Sequence, residues 1–322
     1  MNILITGGTG FVGSHMIDYI LNNEADVKIY ATKRWMEDTK NLDHINDERF
    51  EFIDCDLLDG MSVKRAVEIS KPNKVFHFAA QSFPEVSFKI PVITLQTNII
   101  GTTHLLESIK ESDYDPTIVS VSSSEVYGNP NKDEVPITET NPIRPANPYS
   151  ISKVGHDLMS QYYYKAFGLK IITTRMFSHE GARRGKQFAL SSFAHQIVEN
   201  EKLIKNDCEI RHGNLESVRT YNHIEDAIIA YWLCSESDRY GEVYNIGGDY
   251  TCTVGDALDM LISKSEISDA LNKVLDAKRV RPTDITLQIP SSDKFREHFD
   301  WKPKKDLTHI CDDLLNYWRE VL

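Results

Sequence analysis

The feature that most constrains the fold is a glycine-rich turn near the N-terminus, in the stretch ILITGGTGFVGSH. Gly7, Gly10 and Gly13 lie between an apolar run that predicts a strand and an amphipathic run that predicts a helix. Glycine at such a junction permits a tight turn, and the first N–H groups of the helix can bind a diphosphate. With a second strand following, the stretch predicts a dinucleotide-binding βαβ unit. The other residues predicted to contact the dinucleotide in this turn are Thr9, Phe11 and Val12.

Strand and helix patterns alternate through the first half of the chain. The predicted strands are NILIT, VKIYA, FEFID, KVFHFAA and TIVSVSS, with helical patterns between them. This alternation predicts an α/β fold, a modified Rossmann doubly wound parallel sheet covered on both faces. The pattern becomes irregular after residue 176 and returns to a strand at EVYNIGG. We therefore predict a dinucleotide-binding domain over residues 1–176, with a returning segment near 217–248, and a smaller substrate-binding lobe over 177–216 and 249–322.

The end of the second strand bears on the choice of dinucleotide. An NAD site commonly places Asp or Glu there to bind the ribose 2′-hydroxyl, but this chain has Lys33 and Arg34. A guanidinium would bind a 2′-phosphate, so the sequence predicts NADP. The alternative is that both cations are ordinary solvated loop charges. Four further residues are predicted to border the cofactor, at the ends of the third and fourth strands: Asp56, Leu57, Ala79 and Ala80.

Tyr149 and Lys153 carry the predicted acid–base chemistry. They lie four residues apart in NPYSISKVGHDLM, which places both on one face of a helix. An ammonium beside a phenol lowers the pKa of the phenol and makes it usable for proton transfer near neutral pH. A surface helix could show the same spacing by chance, but the glycine turn upstream favours a catalytic pair.

Together with the stretch SVSSSE, these features resemble the extended short-chain dehydrogenase/reductase superfamily. Five motifs narrow the resemblance to the GDP-mannose 4,6-dehydratase group, nearly end to end: FHFAAQSFPEVSF, SSSEVYG, HEGARRGKQF, GNLESVR and RPTDI. The chain departs from the group in two places, since Ser178 stands where an Asn is usual and Gly181-Ala182 where a proline is usual. Both departures bear on the identity of the sugar.

The resemblance implies roles for the residues after the fifth strand, Ser123, Ser124 and Glu125. Tyr149 would take the C4-hydroxyl proton of a hexose while hydride passes to the nicotinamide, and Ser123 would hydrogen-bond the same oxygen. The ketone at C4 makes the C5 proton acidic, and Glu125 would remove it as hydroxide leaves C6. The hydride then returns to C6, so the tightly bound NADP is regenerated in each cycle. An epimerase or a reductase needs no base at the position of Glu125.

The resemblance also implies a site for a GDP-linked sugar. Arg219 and Arg281 resemble the arginines that bind the diphosphate, and Arg184 lies in a basic loop near the cofactor phosphate. Any of these cations could be a plain surface charge. The other residues of the predicted substrate site are Ser82, Glu85, Ser124, Ser178, Lys186, Asn214 and Asp284.

Composition and charge exclude several classes of partner. A net charge of −12 argues against nucleic acid and against an anionic membrane surface. The apolar runs are too short for a membrane span, and the chain enters a strand without a signal peptide. We expect a cytoplasmic protein with no metal site, because the odd set of cysteines has no C-x-x-C spacing: Cys55, Cys208, Cys234, Cys252 and Cys311.

Three other functions remain open. They are an NADPH-dependent reductase of a GDP-4-keto-6-deoxy sugar, another nucleotide-sugar-modifying enzyme of the extended dehydrogenase/reductase superfamily, and a non-catalytic NADP-binding sensor. The sequence leaves open whether the sugar is mannose, a heptose or an N-acetylhexosamine. For assembly we predict a homodimer or homotetramer. Tyr162, Tyr163 and Tyr164 span about 300° of a helix, so at least one must face outward. Relatives pair this helix and the one near 98–111 with their symmetry mates.

Overall fold

The computed structural model describes residues 1–203, 208–280 and 283–322. Its strands form from the apolar, β-branched runs of the sequence, and its helices form from the amphipathic runs. The strands are β1 (Asn2–Thr6), β2 (Lys28–Lys33), β3 (Phe50–Asp54), β4 (Lys74–His77), β5 (Thr117–Val121), β6 (Ile171–Met176), β7 (His179–Glu180), β8 (Cys208–His212), β9 (Val218–His223), β10 (Val243–Ile246), β11 (Tyr250–Thr253), β12 (Leu271–Leu275) and β13 (Leu287–Gln288). The α-helices are α1 (Phe11–Asn23), α2 (Gly60–Ser70), α3 (Pro84–Lys89), α4 (Pro91–Leu95), α5 (Gly101–Lys110), α6 (Pro148–Phe167), α7 (Ala189–Leu203), α8 (Ile224–Ser235), α9 (Val254–Ser263), α10 (Asp293–Phe299) and α11 (Leu307–Val321).

A seven-stranded sheet forms the centre of the first half of the chain. Its strand order is β3-β2-β1-β4-β5-β6-β10. The pairings from β3 through β6 are all parallel, and β1 pairs with β2 and β4 through Ile3↔Ile29 and Ile5↔Phe76. The order reverses between β1 and β4, which is the arrangement of a doubly wound sheet. The predicted fold class is confirmed.

The core on one face of this sheet is built from its most apolar strand positions. Leu4, Val75 and Ile118 are at most 1% exposed and pack with Val67 of α2 and Leu105 of α5. Burying such a side chain contributes about 1.5–3 kcal/mol. This packing holds the carboxyl ends of β1, β4 and β5 in register, and those ends carry most of the predicted site.

Contacts divide the chain into two units. The first contains Met1–Val126, Ile143–Met176 and Ile228–Tyr244, and the second contains Tyr127–Pro142, Phe177–Ala227 and Asn245–Leu322. The predicted boundaries differ from this division, because residues 127–142 cluster with the second unit and the returning segment is shorter. The assignment of a function to each domain stays a prediction.

The second unit has its own core and small sheets. Strand β9 pairs with β11 in antiparallel and with β7 and β13 in parallel fashion, while β8 pairs with β12. Helices α7, α9 and α11 supply most of its apolar core, including Phe193, Leu258 and Leu314. In the described ranges, no helix is long and apolar enough to cross a bilayer.

Candidate active site

The glycine turn has the close packing that a diphosphate cradle requires. Gly7 has φ +70°, and a Cβ there would lie 2.9 Å from the backbone of Ala79. A Cβ on Gly13 would lie 2.3 Å from the carbonyl oxygen of Gly7. Side chains are thus excluded from the space at the start of α1, where the first helical N–H groups lack intrahelical partners. These residues fit a dinucleotide diphosphate.

The predicted cations after β2 are both in ion pairs. Lys33 Nζ lies 2.7 Å from Asp54 Oδ1, and the guanidinium of Arg34 lies 3.2 Å from Glu37 Oε1. Asp56 is exposed at the end of β3, and the buried Leu57 packs against Gly101. The structure therefore places these four predicted cofactor residues at neighbouring strand ends.

Glu125 is tied to the first turn of α6 through a residue that the sequence reasoning missed. Asn147 is buried, and its Nδ2 donates to Glu125 Oε2 at 2.9 Å. Its Oδ1 accepts from the N–H of Ser150 at 2.8 Å, so Asn147 is also the N-cap of α6. Ser123 Oγ accepts from the N–H of Glu125 at 3.2 Å. One asparagine thus both begins the helix and orients the carboxylate.

Tyr149 and Lys153 lie in the first two turns of α6, and both are buried. Lys153 Nζ donates to the carbonyl of Val121 at 2.7 Å, which links this helix to the end of β5. Burial lowers the pKa of Lys153 to about 8, while the nearby Asp157 acts in the opposite direction. An ammonium that loses its proton this readily is suited to assist proton transfer at Tyr149.

A buried ion pair supports the next turn of α6. Asp157 is 0% exposed and accepts from Arg175 of β6 through Nε at 2.9 Å and through a second guanidinium nitrogen at 3.1 Å. Gln161 donates to the same carboxylate at 2.6 Å. This bidentate geometry fixes α6 against the sheet one turn beyond Lys153.

Three predicted substrate residues come together in the second unit. Asp284 Oδ2 accepts from Asn214 Nδ2 at 2.9 Å and from Ser217 Oγ at 3.0 Å. Arg219 donates to the carbonyl of Ile285, the residue after Asp284. Arg281, the second predicted diphosphate arginine, lies outside the described residues. The cluster has the mixed donors and acceptors that a polar ligand could use, and its role stays a prediction.

A buried carboxylate, that of Glu180 at the end of β7, lies next to the basic loop that contains Arg184 and Lys186. Glu180 Oε2 lies 3.5 Å from Arg184 Nε, and the guanidinium of Arg184 stacks on Phe188 at 3.4 Å from the ring centroid. Burial raises the pKa of Glu180, and Arg184 opposes that shift. Lys186 is exposed, while Ser178 is half-buried and its carbonyl accepts from the N–H of Asn222. Arg184 is therefore partly committed to an internal partner.

The remaining predicted residues follow β4 and β5. Ala79 donates its N–H to Thr6 Oγ1 at 3.2 Å, and Ala80 and Ser82 are half-buried beside it in the chain. Ser124 is 4% exposed. Glu85 is an exposed residue in the first turn of α3. Its carboxylate forms an ion pair with Lys89 at 3.0 Å. The structure gives Glu85 no burial that would single it out as a ligand-binding carboxylate.

One group of side chains in the second unit has the spacing of metal ligands, namely His223, Glu225 and Asp313. His223 Nε2 already hydrogen-bonds Asp313 at 2.8 Å, and its Nδ1 accepts from the N–H of Glu225 at 3.2 Å. Both ring nitrogens are therefore used in holding the start of α8.

A family model described as GDP-mannose 4,6 dehydratase matches residues 4–314. The chain belongs to this family. The resemblance inferred from the five motifs is thereby confirmed. The matched range spans the glycine turn, the end of β5 and the start of α6, and therefore contains Glu125, Tyr149 and Lys153.

Individual relatives act on different nucleotides. A dTDP-D-glucose 4,6-dehydratase of Dictyostelium discoideum is 32% identical over 82% of this chain, which spans 62% of that relative's length. A GDP-mannose 4,6-dehydratase of Yersinia enterocolitica is 25% identical over 97% of this chain and 92% of the relative. Among solved structures, dTDP-glucose 4,6-dehydratase of Bacillus anthracis in complex with NAD is 27% identical with a TM-score of 0.83, covering 99% of this chain and 97% of that one.

Sequence reasoning found Glu125 but missed the residue that holds it. A usable signal was present, because Asn147-Pro148 followed by Ser150 is an N-cap pattern directly before the predicted catalytic pair. The carboxylates opposite Lys33 and Arg34 were also missed. Asp54 comes from the next strand, so only strand pairing brings it to Lys33.

Proposed function

We propose that the protein catalyses the NADP-dependent 4,6-dehydration of a GDP-linked sugar to its 4-keto-6-deoxy product. The observation that carries the proposal is the hydrogen bond from Asn147 to Glu125, because it holds a candidate base at the start of the helix that bears Tyr149 and Lys153. The family supports the reaction class, since both curated relatives described above are named as nucleotide-sugar 4,6-dehydratases.

In the proposed mechanism, the residues of the first unit share the proton transfers. Tyr149 takes the proton of the C4 hydroxyl, helped by the ammonium of Lys153, and Ser123 hydrogen-bonds the same oxygen. When bound, a nicotinamide dinucleotide would supply the reversible hydride chemistry that links C4 and C6 of the sugar, with Tyr149 and Lys153 at its nicotinamide end. Glu125 removes the C5 proton that the C4 ketone has made acidic. The C5 proton and the C6 hydroxyl leave as water, and C5 then regains one proton, which balances the proton that Tyr149 took from the C4 hydroxyl. The net change is the loss of one water without net oxidation or reduction.

The cofactor proposal has a coarse and a fine part. A nicotinamide dinucleotide is supported by the glycine cradle and by the Bacillus anthracis relative, which was solved with NAD. The preference for NADP rests on Lys33 and Arg34, with no acid at the last positions of β2. Gly7 and Gly13 would hold the diphosphate of the dinucleotide, and Tyr149 and Lys153 would lie at its nicotinamide end.

The nucleotide of the substrate is proposed to be GDP, on the motifs shared with the GDP-mannose group. The Asn214, Arg219 and Asp284 cluster offers a guanidinium and a carboxylate within one polar group, which suits a nucleoside diphosphate. The test is incubation of the protein with GDP-mannose, other GDP-sugars and dTDP-glucose, followed by mass spectrometry. We expect loss of one water from a GDP-sugar with no net NADPH consumption. Stoichiometric NADPH oxidation would indicate the reductase instead, and reaction of dTDP-glucose alone would overturn the GDP assignment.

A first prediction tests the base. Glu125→Gln keeps the shape of the side chain but cannot accept the C5 proton, so turnover should fall by about 100-fold or more while the cofactor still binds. The measurement is product formation by mass spectrometry together with cofactor titration. Glu111→Gln, which removes an exposed carboxylate paired with Lys64, is the control and should leave turnover unchanged. Near-normal turnover of Glu125→Gln would show that another group removes the proton.

We also propose a homo-oligomer, at least a dimer, whose interface is formed by α6 and by the helical segment of residues 91–110. Exposed apolar side chains lie along both elements, namely Ile93, Ile100, Ile151, Leu158, Tyr162 and Phe167. Large exposed apolar groups in one region are typical of protein interfaces.

A cytoplasmic location stays a prediction from the cysteine pattern.

A further inference from the structure

A cavity lies where the adenosine end of a dinucleotide is expected. It occupies about 470 Å³ at the carboxyl ends of β2 and β3, and its lining includes Arg34, Trp35, Glu37, Asp54, Asp56 and Asp59. The glycine turn adjoins these strand ends, because the N–H of Gly7 donates to Thr32 Oγ1 at 3.2 Å. In doubly wound sheets the end of the second strand contacts the ribose of the cofactor.

The charge of this cavity is opposite to what a 2′-phosphate would favour. The charged groups that line the cavity are one guanidinium, that of Arg34, and the four carboxylates of Glu37, Asp54, Asp56 and Asp59. Lys33, the other predicted cation, is engaged by Asp54 at 2.7 Å. A 2′-phosphate therefore depends on Arg34 for its attraction and meets repulsion from the rest of the lining.

Glu37 already occupies two of the donors that Arg34 could offer to a phosphate, the backbone N–H and one guanidinium nitrogen. Its Oε2 accepts from the backbone N–H of Arg34 at 2.8 Å, and its Oε1 accepts from the guanidinium at 3.2 Å. The Arg34 side chain is nevertheless 69% exposed, so a ligand can reach it from solvent. A carboxylate with one oxygen on each donor makes the same pair of contacts as two phosphate oxygens would.

We propose that Glu37 sets the choice between NADP and NAD by holding the Arg34 donors that a 2′-phosphate needs. A 2′-phosphate gains these two donors only by displacing the Glu37 carboxylate, whereas NAD binds with the Arg34–Glu37 pair intact. The ratio of NADP affinity to NAD affinity is therefore smaller than it would be if Arg34 had no carboxylate partner. The inference rests on the proposed function only in taking a nicotinamide dinucleotide as the cofactor.

The test is calorimetric titration of the cofactor-free full chain with NADP and, separately, with NAD. Glu37→Gln should tighten NADP binding by about twofold to fivefold, the scale of an exposed ion pair, and change NAD binding by less than that. In an Arg34→Ala background the same change should have no effect on NADP, because the contested donor is gone. Asp38→Asn is the matched control, since it removes one charge next to Glu37 from a carboxylate that pairs with Lys40.

Three results would overturn the proposal. They are unchanged NADP affinity in Glu37→Gln, an equal gain in Asp38→Asn, and a gain that persists in the Arg34→Ala background. The last two would indicate a general charge effect rather than competition for Arg34. None of these titrations uses a sugar, so a failure here is distinct from a failure of the dehydratase proposal.

Discussion

Asn147 combines a structural and a positioning role in one side chain. As the N-cap it satisfies a backbone N–H of α6, and its amide nitrogen binds the Glu125 carboxylate. A cap contributes about 1 kcal/mol to stability. Glu125 is half-buried, so water can replace the Asn147 amide as a donor and the bond between them acts mainly on the orientation of the carboxylate. The two roles can be separated, because serine is also a good cap but is too short to reach Glu125.

A second prediction follows for Asn147→Ser. The free energy of unfolding should change by less than about 1 kcal/mol, while turnover falls by about tenfold because Glu125 loses its orienting donor. Denaturant unfolding and steady-state kinetics measure the two effects. Asp306→Ser, which changes the cap of α11 in the second unit, is the control and should leave turnover intact. Loss of stability and activity in proportion would reduce Asn147 to a structural residue.

The burial of Lys153, which is proposed to assist proton transfer, is unfavourable to its charged form. Its pKa is lowered from 10.5 to about 8, chiefly by burial. Between these values the unfolded chain holds a proton that the folded chain has released, so the free energy of unfolding rises with pH across that window. Below pH 8 the buried ammonium costs about 3 kcal/mol, partly offset by about 1 kcal/mol from its hydrogen bond to Val121.

The third prediction is that Lys153→Met abolishes turnover and stabilises the cofactor-free protein by about 2 kcal/mol at pH 7. The gain should shrink as the pH approaches 10.5, where wild-type Lys153 is neutral in both states. Urea unfolding at pH 7 and at pH 9.5 would measure this. Lys165→Met, at an exposed position of the same helix, should show no such pH-dependent gain. A destabilised Lys153→Met at pH 7 would contradict the argument.

At the scale of elements, two stacked histidines join strands to helices inside the first unit. The rings of His77 in β4 and His156 in α6 are 5.3 Å apart and nearly parallel. Thr102 of α5 lies within 2.9 Å of both rings, and Thr6 and Ser120 bind their other nitrogens. Every ring nitrogen has a partner, so the network is stable only while the histidines are neutral.

Burial lowers the pKa of His77 to about 3 and the pKa of His156 well below its usual value, with Lys153 adding to both shifts. Their contribution to stability is full above pH 6.5 and is lost as the pH falls from there towards 3, because the unfolded chain then binds more protons. We predict a loss of about 2 kcal/mol per histidine between pH 7 and pH 5.

The measurement is the free energy of unfolding at both pH values for the wild type, His156→Gln and His298→Gln. The first variant should lose about 2 kcal/mol less on acidification than the wild type, whatever its stability at pH 7. His298 in α10 lies outside the network, so its replacement should leave the slope unchanged. Equal slopes in all three proteins would exclude the histidine pair as the acid-sensitive element.

At the scale of the whole molecule, the exposed apolar side chains of α6 bear on the proposed assembly. Three neighbouring tyrosines in α6 differ in burial as their 100° spacing predicts, since Tyr163 is 3% exposed and Tyr162 is 52% exposed. Leu158 lies one turn before Tyr162 and is also 52% exposed. Gly155 lets α6 pack closely on the preceding helical segment, because a Cβ there would meet Ile99 at 2.5 Å.

We predict that light scattering gives at least twice the chain mass of 36.8 kDa and that Leu158→Glu lowers it to the monomer value. A carboxylate buried in an apolar interface without a partner is strongly unfavourable. Leu275→Glu, at a still more exposed apolar position in β12, should leave the mass unchanged. A monomeric wild type would rule out the oligomer.

The sequence by itself determined many of the elements and the placement of Tyr149 and Lys153 on one helix. Strands such as NILIT and FEFID, and the helix FVGSHMIDYILNN, have the bounds that their patterns predict. Local periodicity suffices for these, and the spacing of Tyr149 and Lys153 follows from helix geometry alone. The glycine turn was also readable, because its strand and helix are adjacent in the chain.

Only the tertiary structure decided what Lys33 and Glu125 face. Strand pairing brings Asp54 to Lys33, and the packing of α6 on the end of β5 brings Asn147 to Glu125. Residues 127–142 join the second unit through contacts far along the chain. These partners are 21 or more residues apart or depend on a loop's path, so no local pattern encodes them. The cations that the sequence offered to a cofactor phosphate therefore proved to have carboxylate partners of their own.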